Sequence, residues 1–337
     1  MSEIAIEARG LSIGYGKGSK TKVVSSGIDF VLDRSEMTLL LGQNGIGKST
    51  LLRTLAAVQP PLDGRVLING NDISAYDMRT LSRLVSVVFT DKTLAGGLRV
   101  SEVVALGRHP YTGFFGRLSS ADEAVVADSL SAVGMTDKGD SYLSQLSDGE
   151  RQKVMIAKAL AQQAQLILLD EPTAFLDLPS RMEILYLLKR LAVEQGKTIL
   201  LSTHDIEQSL TVADRILLFF HDGVTAGKIE DIIADGGLEC IFAGRGVDFD
   251  KISGRFVPVT SGAEPLLVIA PDSVAYWIGN VARGAGFDLL KGASASARFK
   301  IKCETMDMIE LEHSGKTERL SSLSALGKRL RELRNSL

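Results

Sequence analysis

The sequence has no long apolar run. No stretch approaches the roughly 20 residues that a membrane-spanning helix needs. The first ten residues set Glu3, Glu7 and Arg9 among apolar neighbours, which leaves no apolar core for a signal peptide. The expectation is therefore a cytoplasmic chain that reaches a membrane only through a partner. Cysteine is scarce: Cys240 and Cys303 stand far apart and form no C-x-x-C. That excludes a disulfide framework and leaves buried or free thiols of a reducing compartment. An excess of one charge is also missing. Lys and Arg number 38 against 41 Asp and Glu, a net charge of −3, so nothing global attracts nucleic acid. What remains is the composition of an ordinary globular protein, 45% hydrophobic and 23% charged. A length of 337 residues suggests about two domains.

The stretch on which the chain turns is Gly42-Gln43-Asn44-Gly45-Ile46-Gly47-Lys48-Ser49-Thr50. Its spacing, G-x-x-x-x-G-K-S, is that of a phosphate-binding loop. Met37 to Leu41 reads as a buried strand before it, and Leu51 to Ala57 as a helix after it. Gly42, Asn44, Gly45 and Gly47 let successive N–H groups turn inward, and the helix N-terminus adds partial positive charge. Lys48 is then placed to reach β- and γ-phosphates, and the Ser49 hydroxyl to bind Mg²⁺. Thr50 completes the loop.

Upstream, Ile4 to Ala8 alternates as a strand, and Tyr15 follows between glycines. An aromatic there either stacks on adenine or simply packs. Val23-Val24, Ile28 to Leu32, Gly64 to Ile68 with an Asn69-Gly70 turn, and Leu84 to Phe89 read as further strands. Beyond Val100 the pattern turns helical. Ser101 and Ser120 stand as helix caps, with Gly107 and Gly134 as stops. Leu146-Ser147-Asp148-Gly149-Glu150 feeds a second helix, so Ser147 and Gly149 offer another anion site at a helix start. Leu166 to Leu169 is a buried strand that ends in Asp170 and Glu171. Carboxylates at the C-terminal end of such a strand sit where α/β sheets bind ligands. Asp170 would hold Mg²⁺ through water, and Glu171 would polarise an attacking water. Thr198 to Ser202 is another strand, whose polar tip puts His204 within reach of a γ-phosphate.

These motifs stand in the order found in ABC-transporter ATPase subunits, which the chain resembles over roughly residues 1–255. Tyr15 resembles the aromatic A-loop and Gly42 to Thr50 the Walker A motif. Leu146 to Gln152 resembles the signature motif, and Leu166 to Thr173 the Walker B motif with its catalytic glutamate. Leu176-Asp177 resembles the D-loop and His204 the H-loop. The resemblance implies a RecA-like mixed sheet with an antiparallel β subdomain and a helical subdomain at about 92–165. It also implies ATP with Mg²⁺, nucleotide contacts from Tyr15, Ser147, Gly149 and Asp177, and catalysis by Lys48, Glu171 and His204. The implied assembly is a head-to-tail homodimer on two integral-membrane permease subunits, at the cytoplasmic face of the inner membrane. An external binding protein would act indirectly, and nucleic acid is not a partner. Val104 to Tyr111 with Gly116-Arg117-Leu118-Ser119 resembles the subfamily that imports iron-siderophores, haem and vitamin B12. An ABC ATPase of another transporter class, one acting on DNA or ribosomes, and a binding-only module are the alternatives.

Two positions depart from that pattern. Thr90 stands where the family usually has a glutamine, and Asp148 puts a carboxylate inside the signature, its side chain expected to point away from the phosphates. The cassette is expected to cover 1–260. Ser261 to Pro265 reads as a linker, and 262–337 as a small α/β domain without chemistry. There Val274, Trp277, Ile278 and Val281 share one helix face, and Leu323, Leu326, Leu330, Leu333 and Leu337 form a stripe. Trp277 and these leucines are expected in its core, although the stripe also fits a dimer-forming or regulatory face. His221 and His313 read as turn residues.

Overall fold

Three runs, Leu39 to Leu41, Leu166 to Leu169 and Ile199 to Leu201, are apolar at every position and fully or almost fully buried. Apolar runs of that kind belong to strands covered on both faces, as in a parallel sheet. The computed structural model describes residues 4–16, 18–89, 97–113, 115–220, 223–251, 253–259, 263–290, 297–305 and 308–336. The chain divides into two compact units, Met1–Ile241 and Phe242–Leu337. That division falls ahead of the expected linker.

In the first unit the chain order begins with β1 (Ile4–Tyr15), β2 (Lys22–Asp33), β3 (Met37–Gly42), α1 (Lys48–Leu55), β4 (Asp63–Ile68), β5 (Asn71–Asp72), α2 (Met78–Leu84) and β6 (Val85–Val88). It continues through α3 (Val100–Ala105), α4 (Ser120–Ala132), α5 (Asp148–Ala161), β7 (Leu166–Asp170), α6 (Leu178–Gln195) and β8 (Thr198–Ser202). It closes with α7 (Ile206–Leu210), β9 (Arg215–Phe220), β10 (Gly223–Lys228), α8 (Ile229–Ala234) and α9 (Gly237–Ile241). A six-stranded sheet has the order β10-β9-β3-β8-β7-β6. Its strands are parallel except for β10, which runs antiparallel to β9. A second, antiparallel sheet has the order β2-β1-β4-β5. One core joins the two sheets across α1: Ile6, Leu11 and Ile28 share it with Leu51, Leu40 and Phe219. Helices α3 to α5 lie between β6 and β7 in the chain, as the helical pattern after Val100 predicts.

Several local expectations shift. The two short strands expected around Val23 and Ile28 are one continuous β2. Asn69 and Gly70 both take positive φ, 54° and 82°, as the Asn-Gly turn between β4 and β5 requires. The cap of α4 is Ser119, not Ser120: its hydroxyl accepts from the Asp122 N–H at 3.2 Å. Helix α3 begins one residue before Ser101, and the Glu102 carboxylate accepts from the Arg99 N–H at 2.7 Å. Thr90, His221, residues 260–262 and Leu337 lie outside the described residues.

The second unit holds β11 (Val247–Asp250), β12 (Arg255–Pro258), β13 (Glu264–Ile269), α10 (Asp272–Gly284), β14 (Phe287–Leu289), β15 (Phe299–Thr305), β16 (Met308–His313), β17 (Lys316–Leu320) and α11 (Leu323–Asn335). A five-stranded sheet, β14-β13-β15-β16-β17, shares its core with α10 and α11. Ile278, Ile301, Leu311, Leu326 and Leu330 are fully buried there. Leu326 and Leu330 of the stripe therefore pack into this core, with Leu323 and Leu333 partly buried against it. Trp277 does not join it: it is 50% exposed and meets Tyr276 edge-on at 5.1 Å. The buried face of α10 runs through Val274, Ile278 and Ala282, and Trp277 stands at its flank. His313 is no turn residue. It ends β16, with the ring stacked near Phe299 and Nε2 2.9 Å from Glu318 Oε1. Glu318 also accepts two bonds from Arg329, at 2.6 and 2.7 Å, and Arg329 above all holds its carboxyl down at about 2.

The single tryptophan makes this unit observable. Its emission should be that of a water-exposed indole and should quench readily with iodide. Leu330→Ala should destabilise the second unit by about 2–5 kcal/mol in denaturant unfolding followed by circular dichroism. A blue-shifted, quencher-resistant indole or an unchanged midpoint would contradict this core.

Candidate active site at the strand ends

Strands β3, β8 and β7 are neighbours, and their register sets Leu40, Ser202 and Asp170 abreast. Their carboxyl ends therefore open side by side, at the edge where open α/β sheets take ligands. From β3 the chain enters the loop of Gly42 to Gly47. Gly47 caps α1 at φ 118°, and a Cβ there would stand 2.4 Å from Val24 Cγ1, so only glycine fits. With no side chain to cap them, the first N–H groups of α1 remain free to meet an anion. Lys48 is buried, and its Nζ donates to the carbonyls of Gly42 and Gln43 at 2.8 and 3.2 Å. Burial pushes its pKa down, while Glu171 and Asp170 push it up. The ammonium thus lies in the field of both carboxylates.

One residue holds Asp170 by its side chain and Glu171 by its backbone. The hydroxyl of Ser202, fully buried, donates to Asp170 Oδ1 at 2.7 Å and accepts from the Glu171 N–H at 3.0 Å. The Ser202 carbonyl lies 3.2 Å from the same N–H. Glu171 is thereby held at φ 50°, a left-handed conformation uncommon for glutamate. Its Oε1 stands 2.6 Å from His204 Nε2, both groups partly exposed. A carboxylate paired with an imidazole at an open edge is arranged to take up and pass on a proton.

The loops after β7 and β8 are laced together. Asp205 accepts from the Thr173 hydroxyl at 2.6 Å and from Arg181 at 2.5 Å, and its own N–H donates to Thr203 Oγ1 at 3.0 Å. Sequence reasoning passed over Ser202, Thr173, Arg181 and Asp205. The available signal was the cluster of small hydroxylic residues at the tips of two apolar strands.

The other expected residues fall into two places. Tyr15, at the end of β1, hydrogen-bonds through its hydroxyl to Thr50 Oγ1, with its ring about half exposed. Ser147 caps α5: its hydroxyl accepts from the Glu150 N–H at 3.2 Å, and its N–H donates to Glu150 Oε2 at 2.9 Å. Asp148 pairs with Arg151 on its own helix at 3.2 Å. Gly149 lies against Ser180, whose N–H is capped by the Asp177 carboxylate at 3.1 Å. The starts of α5 and α6 thus meet at Ser180.

A family model described as ABC transporter matches residues 25–174. The ferric enterobactin transport ATP-binding protein FepC of Escherichia coli is 34% identical over 248 residues, 73% of this chain and 90% of that protein. The chain belongs to the ABC-transporter ATP-binding family. The iron(3+)-hydroxamate import ATP-binding protein FhuC of Bacillus subtilis is 38% identical over 199 residues, covering 59% of this chain and 72% of its own. Among solved structures, the dimeric ATP-binding cassette MJ0796 bound to ADP and Pi aligns with a TM-score of 0.58 at 27% identity, over 66% of this chain and 98% of that one. This ABC protein is accordingly an ATPase with the cassette fold.

If Ser202 fixes the Asp170 carboxylate and the Glu171 backbone, Ser202→Ala should leave the fold intact and lower steady-state ATP turnover about 10- to 100-fold, the usual scale for a lost supporting partner. Turnover equal to that of the parent would remove Ser202 from the site.

Proposed function

We propose that this ATPase powers uptake of a chelated metal, of the iron-siderophore, haem or cobalamin class, through a membrane permease. The names of FepC and FhuC support that cargo class, as do residues 104–111 and 116–119. The ATPase would work as a head-to-tail homodimer against two permease subunits, at the cytoplasmic face of the inner membrane, with an external binding protein delivering the cargo. The dimeric cassette bound to ADP and Pi supports the homodimer.

The residue roles follow from the strand ends. Lys48 and the free N–H groups of α1, with Gly42, Asn44, Gly45, Gly47 and Thr50, would cradle the phosphates. Tyr15 would face the base. Mg²⁺ fits the donors present, since the Ser49 hydroxyl and the Asp170 carboxylate are hard oxygens and phosphate would supply more. When bound, it would neutralise charge on the phosphates. Glu171 would accept a proton from the attacking water while His204 orients its carboxylate. Ser147 and Gly149, with Asp177, would complete the site from the partner subunit. The observation that carries the proposal is the Glu171–His204 contact, at 2.6 Å, beside the buried Lys48.

Glu171→Gln should bind ATP, lose nearly all turnover and accumulate as an ATP-bound dimer by size-exclusion chromatography. Near-parental turnover would remove Glu171 as the proton acceptor. Lys48→Ala should weaken ATP binding by roughly 10- to 100-fold in calorimetry, the scale of a lost charged hydrogen bond. Cysteines placed at Ser49 and Ser147 should crosslink between chains in the presence of ATP. A crosslink within one chain would refute the head-to-tail arrangement.

A further inference from the structure

The turn after α3 carries side chains that the strand-end site does not use. It meets the far end of α5, the helix that begins beside Ser147. The approach is close: a Cβ on Gly107 would stand 2.2 Å from the Lys158 carbonyl oxygen, so glycine alone lets the two backbones touch. Arg108, 5% exposed, then reaches the C-terminal end of α5. Its Nη1 donates to the Ala161 carbonyl at 2.7 Å and to Gln163 Oε1 at 2.9 Å. Its Nε donates to Asp122 Oδ1 of α4 at 2.9 Å. The Tyr111 hydroxyl donates to the Gln162 carbonyl at 3.1 Å, and the ring centre lies 3.8 Å from the Arg108 guanidinium carbon. Two successive carbonyls at the helix end, where the intrahelical ladder runs out, are thus taken by one turn. The guanidinium also sits at the negative pole of the helix.

The same turn reaches back to the sheet. Arg79 and Arg83 of α2 donate to the Pro110 carbonyl at 2.8 and 3.0 Å, and the Arg83 guanidinium stands 4.5 Å from the Tyr111 ring centre. Gln162 Nε2 donates to the carbonyls of Ser82 and, at 2.8 Å, Val85. Helix α2 runs directly into β6, which pairs with β7. So Arg108 and Tyr111 clamp the end of α5 to α4 on one side and to the edge of the parallel sheet on the other.

An ion pair as buried as Arg108–Asp122 is weak evidence for stability, because desolvation offsets the Coulomb gain. What the clamp does supply is direction. Helix α5 has 14 residues and is about 20 Å long. A tilt of about 5° at the clamped end would carry its start by roughly 1.7 Å, enough to break a hydrogen bond made there.

We propose that Arg108 is a positioning residue for ATP hydrolysis in the partner subunit's site: by fixing the C-terminal end of α5, it sets the direction in which Ser147 and Gly149 are presented across the dimer. This rests on the head-to-tail reading above. The test uses the full chain carrying Glu171→Gln, with and without Arg108→Gln or Arg108→Lys. ATP affinity is measured on dilute protein by calorimetry, and ATP-dependent dimerisation by sedimentation. Arg108→Gln should leave ATP affinity unchanged and weaken dimerisation about tenfold or more. Arg108→Lys should recover little, since a point charge cannot hold these acceptors and stack on Tyr111 together. In the otherwise unaltered enzyme, Arg108→Gln should lower kcat with little change in KM for ATP. Equal dimerisation with and without Arg108→Gln overturns the inference. So does a parallel loss of ATP affinity, which would place the effect in the chain's own nucleotide site. If Arg108→Gln does not fold, Tyr111→Phe removes only the bond to Gln162 and should weaken dimerisation in the same sense; no change there also overturns it. A Glu171→Gln parent that fails to dimerise with ATP marks failure of the head-to-tail reading itself, and this inference falls with it.

Discussion

The pairing of β8 between β3 and β7 is the constraint on which the site depends. It sets Ser202 abreast of Asp170, and a one-residue slip of β8 would turn that hydroxyl to the opposite face of the sheet. Asp170 would then lose the bond from the Ser202 hydroxyl, and the Glu171 N–H its bond to that hydroxyl. Leu200 lies in the core that also holds Leu40, Leu51 and Leu168, and this packing is what forbids the slip. The apolar core therefore acts on the chemistry directly, by choosing which face of one strand the serine occupies.

Much of the site was legible in the sequence, because it is written in short spacings. The loop of Gly42 to Thr50 and the acids after Leu169 each announce themselves within ten residues. What escaped is written across the chain. Ser202 meets Asp170 over a separation of 32 residues and Arg108 meets Ala161 over 53, and no local pattern encodes either pairing. The smaller misreadings have local causes. Two adjacent serines compete for the start of α4, and only the extended backbone of Ser119 suits a cap. A helical period identifies the face on which Trp277 lies but cannot tell the middle of that face from its flank. The turn after β16 is made by Ser314 and Gly315, both at positive φ, and His313 just before it belongs to the strand and meets Glu318.

The helix of the signature motif is restrained at both ends by different means. At its start the contact is steric: Gly149 faces Ser180, where a Cβ would come within 3.2 Å of the Ser180 hydroxyl. Asp177 holds that serine in place by capping α6, and Lys153 reaches across to Glu183. At its far end the contact is polar, through Arg108 and Tyr111. The contact at Ser180 alone would let the helix change its tilt, and the polar clamp at the far end fixes its direction.

The backbone of Glu171 has an evolutionary consequence. A left-handed conformation costs a non-glycine residue about 1–2 kcal/mol, and glycine at that position would shed the cost. Selection for folding alone would therefore favour loss of the side chain, since a protein without it is the more comfortable one. On the role proposed for Glu171, selection for turnover is what keeps a glutamate there. In a lineage that retains the fold but no longer needs the work, this position should be among the first to drift, while the buried leucines around it stay fixed.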